Sequence, residues 1–294
     1  MPTVLSAQQR AFWNDNGFLV VPGFFEEHDT EVVARALERT WNEPTGSVVV
    51  DDLVTGRRQR AVDVPEADRS HPFKVNDLYL EFEEVRRVCM SERVSAMLRE
   101  LLADEPVLIN TLNLEYGSQQ ADHVDSLYMT PRTQGGLTAT WMALEDVVAD
   151  AGPLRYYPGS HHIDQYRFAN GEYHALDPEM PQWAEYMADS VERKGLEETR
   201  FLAKKGDLFI WHAHLLHGGS EICNPALTRN SLVSHFWTKT DTKALGHEPR
   251  PVGDAFWLER PPQPVPEDPA PAAPEPKPAK RSLWDRLRTV TARD

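Results

Sequence analysis

Residues 123–162 carry the sequence HVDSLYMTPRTQGGLTATWMALEDVVADAGPLRYYPGSHH, in which a candidate metal-ligand pair precedes short apolar strands divided by glycine and proline turns. The pair is His123 and Asp125, an imidazole and a carboxylate separated by one residue. In an extended strand, side chains at positions i and i+2 point to the same face. Both groups can therefore bind one metal ion, although an isolated His-x-Asp also occurs by chance in many proteins.

Composition places broad limits on the protein class. The 294 residues are 40% hydrophobic, enough for one large domain or two small ones. We expect no transmembrane segment, because no apolar run is long enough, and residues 1–23 lack the basic start and apolar centre of a signal peptide. Two cysteines far apart, Cys89 and Cys223, fit a reducing cytoplasm. The formal net charge of −15 argues against nucleic-acid binding, which needs a basic surface.

The first third of the chain alternates helix and strand signals. Ser6 is a suitable N-cap for a helix over residues 6–16, and Gly17 is a suitable C-cap. A short strand is predicted at 18–21, and helical spacing of apolar residues marks 27–42. Residues 44–76 are expected to form strand and loop near the site. Further helical segments are predicted at 78–84 and 92–102.

Strand signals dominate after residue 105. They recur at 107–116, 137–144, 154–157, 201–203, 207–212 and 229–237. Helices first and many short strands afterwards predict a β-sandwich or jelly roll with helices packed outside. The long excursion 163–200, with a helix near 178–193, has the length typical of a lid or binding element.

The strand predicted at 107–116 has two chemically different faces. Leu108, Leu112 and Leu114 share one face, while Thr111 and Asn113 share the other with Glu115. A polar face that points inward is costly unless it lines a cavity with polar partners. Thr111 and Asn113 are therefore candidates for lining a binding site.

The C-terminal residues differ in composition from the rest. Residues 259–281 alternate proline with alanine and acidic residues, as in a stiff solvated linker. Residues 282–294 predict a short amphipathic helix with an apolar stripe among arginines. This helix could contact the parent domain, a partner protein or an acidic membrane surface, and a tail without a partner is an equal alternative.

Several motifs in order resemble the phytanoyl-CoA dioxygenase family of Fe(II)- and 2-oxoglutarate-dependent oxygenases. They are QRAFWNDNGFLVVPGFF at 9–25, the His123–Asp125 pair, TWMALED at 140–146, YPGSHH at 157–162, GDLFIWHAHLLHGGS at 206–220, and RNS at 229–231. The resemblance covers about residues 6–240 and fails in the tail. It implies a mainly β fold with flanking helices (α+β), built on a double-stranded β-helix (jelly roll, cupin-like) core.

The implied domain organisation has one catalytic domain over residues 1–258. Its N-terminal helices extend to about 104, its jelly-roll core covers about 105–240, and a lid insertion occupies about 163–200. The linker 259–281 and the helix 282–294 follow.

A third metal ligand is needed to complete the two-His-one-carboxylate triad of Fe(II) oxygenases. His212, His214 and His217 are all candidates, and strand alternation puts the first two on one face without choosing among the three. The resemblance implies His217, since the family's distal histidine directly precedes a small-residue turn such as Gly218-Gly219-Ser220. His212 and His214 are then strand histidines satisfied by neighbouring groups.

The resemblance also implies a 2-oxoglutarate site. The planar fork of Arg229 matches a carboxylate, and Ser231 shares its face and adds a hydroxyl donor. Trp141 falls where the family has a tryptophan beside the co-substrate, although an ordinary core aromatic explains it nearly as well. Asn113 and Thr111 complete the expected contacts.

The implied reaction uses Fe(II), 2-oxoglutarate and O2 to hydroxylate an unactivated C–H bond of a small molecule, with release of succinate and CO2. Asp125 retains the carboxylate that related halogenases lack, which favours hydroxylation. Candidate substrate contacts are Tyr128, Arg155, Tyr157 and Trp183. The alternatives are a jelly-roll protein that senses metal or 2-oxoglutarate without turnover, and a scaffold recruited through its C-terminal helix.

Overall fold

Five of the seven α-helices in the described part of the chain lie before residue 103. The computed structural model describes residues 4–266. Within them the helices are α1 (Ala7–Asn16), α2 (Glu27–Asn42), α3 (Leu78–Glu81), α4 (Glu83–Cys89), α5 (Glu92–Leu102), α6 (Met180–Lys194) and α7 (Lys239–Ala244). The Ser6 hydroxyl accepts a hydrogen bond from the backbone N–H of Gln9, and Gly17 ends α1 with φ +77°, as predicted for these two caps.

The strands form two sheets. They are β1 (Phe18–Val21), β2 (Val49–Asp52), β3 (Arg58–Arg60), β4 (Phe73–Asn76), β5 (Pro106–Leu114), β6 (Leu137–Ala143), β7 (Leu154–Tyr156), β8 (Thr199–Phe201), β9 (Leu208–His212), β10 (His217–Gly219), β11 (Ser231–Thr238), β12 (Arg250–Val252) and β13 (Ala255–Trp257). The larger sheet has the order β1-β9-β6-β11-β5-β4-β2-β3, with β13 pairing alongside β5 and β12 beyond it. The smaller sheet has the order β10-β7-β8. All pairings except β13 with β5 are antiparallel.

Side-chain alternation in the strands separates two apolar cores. In β9, Leu208 and Ile210 pack with the N-terminal helices, while Phe209 and Trp211 point to the space between the sheets. The helices therefore cover the outer face of the large sheet, and the inner face remains available for a site. The predicted fold class, mainly β with flanking helices on a jelly-roll core, is confirmed.

One irregularity changes which residues reach the inner face. In the pairing of β11 with β5, His235 lies opposite Asn110 but the next residue, Phe236, lies opposite Leu108, so Ile109 is an extra residue in β5. Such a β-bulge shifts the alternation of side chains by one position. The Ile109 carbonyl accepts hydrogen bonds from the Tyr79 hydroxyl at 2.9 Å and from Arg260 Nε at 3.2 Å.

The chain continues to build the domain beyond residue 240, where the strand prediction stopped. Leu258 is buried, and its N–H donates to the Leu108 carbonyl at 2.8 Å. Arg260 forms an ion pair of 2.8 Å with buried Asp77. The predicted helix at 282–294 and most of the predicted linker lie outside the described residues. Within residues 4–266, no helix is both long and apolar enough to cross a membrane.

A candidate metal centre between the two sheets

A cavity of about 750 Å³ opens between the inner faces of the two sheets. His123, Asp125 and His217 lie in its wall, all three are buried, and their ligand atoms all lie within 4.8 Å of one another. The Nε2 atoms of His123 and His217 are 3.8 and 3.7 Å from Asp125 Oδ1. An ion bound at about 2.0–2.2 Å from nitrogen and oxygen ligands can bridge atoms at such separations. The structure thus brings the three predicted ligands together.

The backbone joins the two histidines directly. The His123 N–H donates to the His217 carbonyl at 2.8 Å, and the His217 N–H donates to the His123 carbonyl at 3.0 Å. This is an isolated antiparallel bridge, and Asp125 begins a single 3-10 turn over Asp125–Leu127. The expectation that His123 and Asp125 lie on a regular strand is therefore wrong. The turn, rather than strand alternation, brings the carboxylate to the imidazoles.

Hydrogen bonds place the ligand lone pairs of both histidines. His123 Nδ1 donates to the Ala121 carbonyl at 2.8 Å, and His217 Nδ1 donates to the Leu215 carbonyl at 2.9 Å. Each Nε2 is then left unprotonated and directed at Asp125 when the ring is neutral. Burial, with a smaller contribution from His217, lowers the pKa of His123 to about 4.

Asp125 is held as a carboxylate. Burial raises the pKa of Asp125, but His217 and His235 beside it outweigh burial, so this pKa lies well below its usual range. Two neutral imidazoles and one carboxylate form the donor set of the facial triad that binds Fe(II) and leaves coordination positions open. The residues present therefore fit a divalent ion of this kind.

Residues that the sequence did not single out support the carboxylate. Trp211 Nε1 donates to Asp125 Oδ2 at 2.8 Å, and His235 Nε2 lies 3.5 Å from the same oxygen. His235 Nδ1 contacts Asn110 Oδ1 at 3.0 Å, and Asn110 Nδ2 donates to Asp77 Oδ1 at 2.8 Å. A signal for His235 existed, because residues 231, 233 and 235 share one strand face.

Among the described residues, the buried guanidinium of Arg229 has no ion-pair partner. Only 3% of its surface is exposed, and burial lowers the pKa of its guanidinium to about 10 despite the opposing effect of Glu145. Its Nε has no hydrogen-bond partner, and no carboxylate of residues 4–266 lies within ion-pair distance. Buried charges in proteins are normally paired with a group of opposite charge. The carboxylate of a bound ligand would supply that group for Arg229.

Two further orphaned donors accompany Arg229. Trp141 Nε1 and Ser231 Oγ are also buried without a hydrogen-bond partner. The Arg229 Cζ lies 5.6 Å from the centre of the Trp141 ring, and both residues line the cavity that holds the metal centre. Three donors and one positive charge fit the distal carboxylate of a dicarboxylic 2-oxo acid such as 2-oxoglutarate.

Thr111 and Asn113 do not reach this cavity. They lie opposite Ser234 and Leu232 of β11, on the face that carries the helices. Thr111 Oγ1 accepts from the Tyr79 N–H at 3.4 Å, and Asn113 Nδ2 donates to the Ser231 carbonyl at 2.8 Å. Asn110, Leu112 and Leu114 line the cavity instead. The structure thus does not bring Thr111 and Asn113 to the site, and the bulge at Ile109 is why Leu108 does not share a face with Leu112 and Leu114.

The predicted substrate residues fall in different places. Tyr128 lines the cavity, and its ring centre lies 6.0 Å from that of His123. Arg155 forms an ion pair of 2.7 Å with Asp122, and the Tyr157 hydroxyl donates to the other oxygen of Asp122 at 3.3 Å. They thereby brace the residue next to His123. Trp183 is buried inside the insertion and does not line the metal cavity.

The remaining histidines of these motifs contact groups outside the metal centre, although His161 Nδ1 is buried without a hydrogen-bond partner. His214 Nδ1 contacts the Ser126 hydroxyl at 2.8 Å, and His212 Nδ1 accepts from the His214 N–H at 3.2 Å. Burial lowers the pKa of His212 to about 3 and that of His214 to about 4. His161 and His162 contact the Asn14 carbonyl. His217 is the histidine of this stretch that meets His123 and Asp125.

Comparisons with known proteins agree on one family. The family model described as phytanoyl-CoA dioxygenase (PhyH) matches residues 13–231. The peroxisomal phytanoyl-CoA dioxygenase of Mus musculus is 25% identical over 255 residues, which cover 79% of this chain and 68% of the relative. The Homo sapiens protein of the same name is 23% identical over 243 residues, with the same coverage of both chains.

Solved structures show the same fold at low sequence identity. The non-heme alpha-ketoglutarate-dependent carbocyclase SnoK from nogalamycin biosynthesis superposes with a TM-score of 0.62 at 16% identity, over 87% of this chain and 97% of its own. EctD from S. alaskensis with bound Fe has a TM-score of 0.58 at 17% identity, over 88% of this chain and 83% of its own. At these identities the structures establish a shared fold.

Proposed function

This chain belongs to the phytanoyl-CoA dioxygenase family and is a 2-oxoglutarate-dependent dioxygenase, and we propose that it hydroxylates a C–H bond of a small molecule. In this proposal His123, Asp125 and His217 hold Fe(II). When bound, Fe(II) with 2-oxoglutarate supplies the oxidising chemistry: one oxygen atom of O2 enters succinate as CO2 leaves, and the other becomes the hydroxyl of the product.

The observation that carries the proposal is the unpaired guanidinium of Arg229 in the same cavity as the three ligands. Arg229 would bind the distal carboxylate of 2-oxoglutarate, and the orphaned donors of Ser231 and Trp141 would be available nearby. The 2-oxo acid end would then be left for the metal centre. A metal site alone would leave the buried charge of Arg229 without a counter-ion, which is costly.

The other cavity residues orient and shield the reaction. The Nδ1 hydrogen bonds of His123 and His217 keep both Nε2 lone pairs directed at the ion. Trp211 donates a hydrogen bond to Asp125 Oδ2, so Asp125 Oδ1 is the oxygen that would be available to the ion. Apolar side chains from β5 and β11 line the wall and would limit the access of water to the reacting groups. Because Asp125 occupies the third ligand position, hydroxylation is favoured over halogenation.

Succinate formation tests the proposal. Protein purified with Fe(II), ascorbate and labelled 2-oxoglutarate is expected to release labelled succinate, and His123→Ala is expected to abolish it. His28→Ala, on the exposed surface, serves as the matched histidine control. Binding of Fe(II) and 2-oxoglutarate without succinate would favour a sensor that lacks turnover. Failure to bind either compound would contradict both functions.

A further inference from the structure

A row of three charged side chains crosses one end of the metal cavity. Arg58 of β3 and Lys74 of β4 both lie directly opposite Asp51 of the intervening strand β2. Arg58 Nε is 2.6 Å and Lys74 Nζ is 2.7 Å from the Asp51 carboxylate. Arg58 and Lys74 also line the metal cavity. Neither residue belongs to the metal centre or to the Arg229 cluster.

This row carries a surplus positive charge. Two cations share one carboxylate, and the pKa of Asp51 is lowered because the contacts to Arg58 and Lys74 outweigh the effect of burial. Arg58 uses Nε and Nη2 on Asp51, so Nη1 is left for another acceptor. The Lys74 ammonium has three donors and uses one on Asp51. The row can therefore bind a further anion without losing its internal ion pairs.

When Fe(II) and 2-oxoglutarate occupy the cavity, the surplus positive charge of Arg58 and Lys74 over Asp51 still has no counter-ion among the described residues. The charges of Fe(II) and Arg229 together balance Asp125 and the dianion 2-oxoglutarate. The positive charge of the row then remains, in a chain whose formal net charge is −15. A cavity with low-dielectric walls concentrates such a field and selects ligands of opposite charge.

The row has a fixed position relative to the co-substrate cluster. Lys74 pairs with Leu114, which pairs with Ser231, so all lie on one line across the sheet. Two strand spacings place Lys74 about 10 Å from Ser231. Between and beside them the wall is apolar, with Leu112, Leu114 and Val233. A ligand that reaches from the ion to the row therefore crosses apolar surface before it meets charge.

We propose that the substrate carries an anionic carboxylate or phosphate group that Arg58 and Lys74 bind, attached to a largely apolar body that lies along β5 and β11. This inference rests on the proposed function, because it names the substrate class of the same cavity. Asp51 limits the affinity, since it competes with the substrate anion for both cations.

Three probes of equal chain length test the inference: octanoate, octyl phosphate and octanol. Each is titrated calorimetrically into anaerobic protein loaded with Fe(II) and 2-oxoglutarate. We expect at least one anion to bind about tenfold tighter than octanol, the range of a charge-assisted contact. This preference should shrink as salt rises, because the row is partly exposed. The two anions together distinguish carboxylate from phosphate recognition.

Variants of the row test whether Arg58 and Lys74 cause the preference for anions over octanol. The double variant Arg58→Gln/Lys74→Gln is expected to bind all three probes equally, with octanol affinity unchanged. Asp51→Asn is expected to change affinity in the opposite direction and strengthen anion binding. Arg200→Gln, a strand arginine paired with Glu198 outside the cavity, is the control and should retain the wild-type preference.

Equal affinity of the wild-type protein for octanol and both anions would overturn the inference, as would an unchanged preference in the double variant. 2-Oxoglutarate binding, measured in the same samples, separates this failure from that of the proposed function. If 2-oxoglutarate binds and no anion is preferred, only the substrate class is wrong. If 2-oxoglutarate does not bind, the dioxygenase assignment itself fails.

Discussion

The Trp211 indole donates its N–H to Asp125 Oδ2 at 2.8 Å and thereby aims Asp125 Oδ1 at the Nε2 atoms of His123 and His217. Trp211→Phe keeps an aromatic ring but removes the indole N–H and with it this hydrogen bond. We expect metal affinity to fall about 10- to 100-fold, as for other residues that orient ligands. Competition with a coloured chelator measures the loss. Trp13→Phe, a buried tryptophan of α1, should leave metal affinity unchanged.

Arg229→Met is expected to weaken 2-oxoglutarate binding without lowering the stability of the ligand-free protein. Replacing an unpaired buried charge by an apolar side chain of similar length should leave the melting temperature of ligand-free protein unchanged or raise it. The same change should weaken 2-oxoglutarate about thirtyfold or more, because a charged contact worth ~2 kcal/mol or more is lost. Calorimetry and thermal unfolding with and without 2-oxoglutarate measure both effects. A large drop in ligand-free stability would contradict the interpretation, and Arg200→Met controls for arginine removal.

Stability is expected to fall in mild acid through His212 and His214. Their folded pKa values of about 3 and about 4 lie below the ordinary histidine value of 6.5, because burial disfavours the charged rings. The unfolded chain therefore binds more protons between pH 6.5 and 4. Each ring should lower the free energy of unfolding by up to about 1.4 kcal/mol per pH unit in that window, and this stability is fully present above pH 6.5.

Urea unfolding of metal-free protein at successive pH values measures this slope. His214→Asn should flatten the decline between pH 6.5 and 4, whereas His28→Asn on the surface should not. An identical slope in wild type and His214→Asn would show that other groups control acid unfolding.

Gly218→Ala should damage the metal centre through the backbone. An added Cβ would lie 2.6 Å from Asp122 Oδ1 and 2.9 Å from the Gln120 carbonyl, so the segment that leads into His123 must move. We expect a loss of about 1–3 kcal/mol in stability and weaker metal binding. Gly46→Ala is the control, since its Cβ would meet only the flexible end of Arg60 at 3.3 Å.

The described C-terminal segment should be necessary for stability. A chain that ends at residue 249 loses Leu258 and Arg260, and buried Asp77 loses its ion-pair partner. An uncompensated buried charge costs about 3–5 kcal/mol, so chemical unfolding should shift strongly. A chain that ends at residue 266 should keep wild-type stability and succinate formation. Loss of turnover in the longer chain would show that the remaining tail belongs to the catalytic unit.

Sequence periodicity identified most elements because their physical causes are local. Caps such as Ser6 and Gly17, and the apolar spacing of α2, depend on neighbours within a few residues. The choice of His217 as third ligand came from family resemblance, since spacing alone left His212 and His214 equally eligible. The closure of His123 onto His217 depends on contacts between distant segments.

The error on β5 has a specific cause. Strict alternation put Leu108 on one face with Leu112 and Leu114, but the bulge at Ile109 shifts the phase between them. The groups that stabilise the bulge, Tyr79 and Arg260, are far away in the chain. No pattern within residues 106–114 contains that information. Asn110 shares its face with Leu112 and Leu114 by regular alternation and lies opposite His235, but nothing in the sequence of β5 shows that this face, rather than the one with Thr111 and Asn113, turns toward Asp125.

The mutual backbone hydrogen bonds of His123 and His217 also bear on how the protein is made. The two histidines come from segments separated by most of the barrel, so a nascent chain holds only one of them until the second has left the ribosome. The loop between His123 and His217 must close before both imidazoles can bind the same iron ion. Iron capture should therefore wait until the segment that carries His217 has emerged and paired with His123, and copies that stop before residue 217 should lack the complete ligand set.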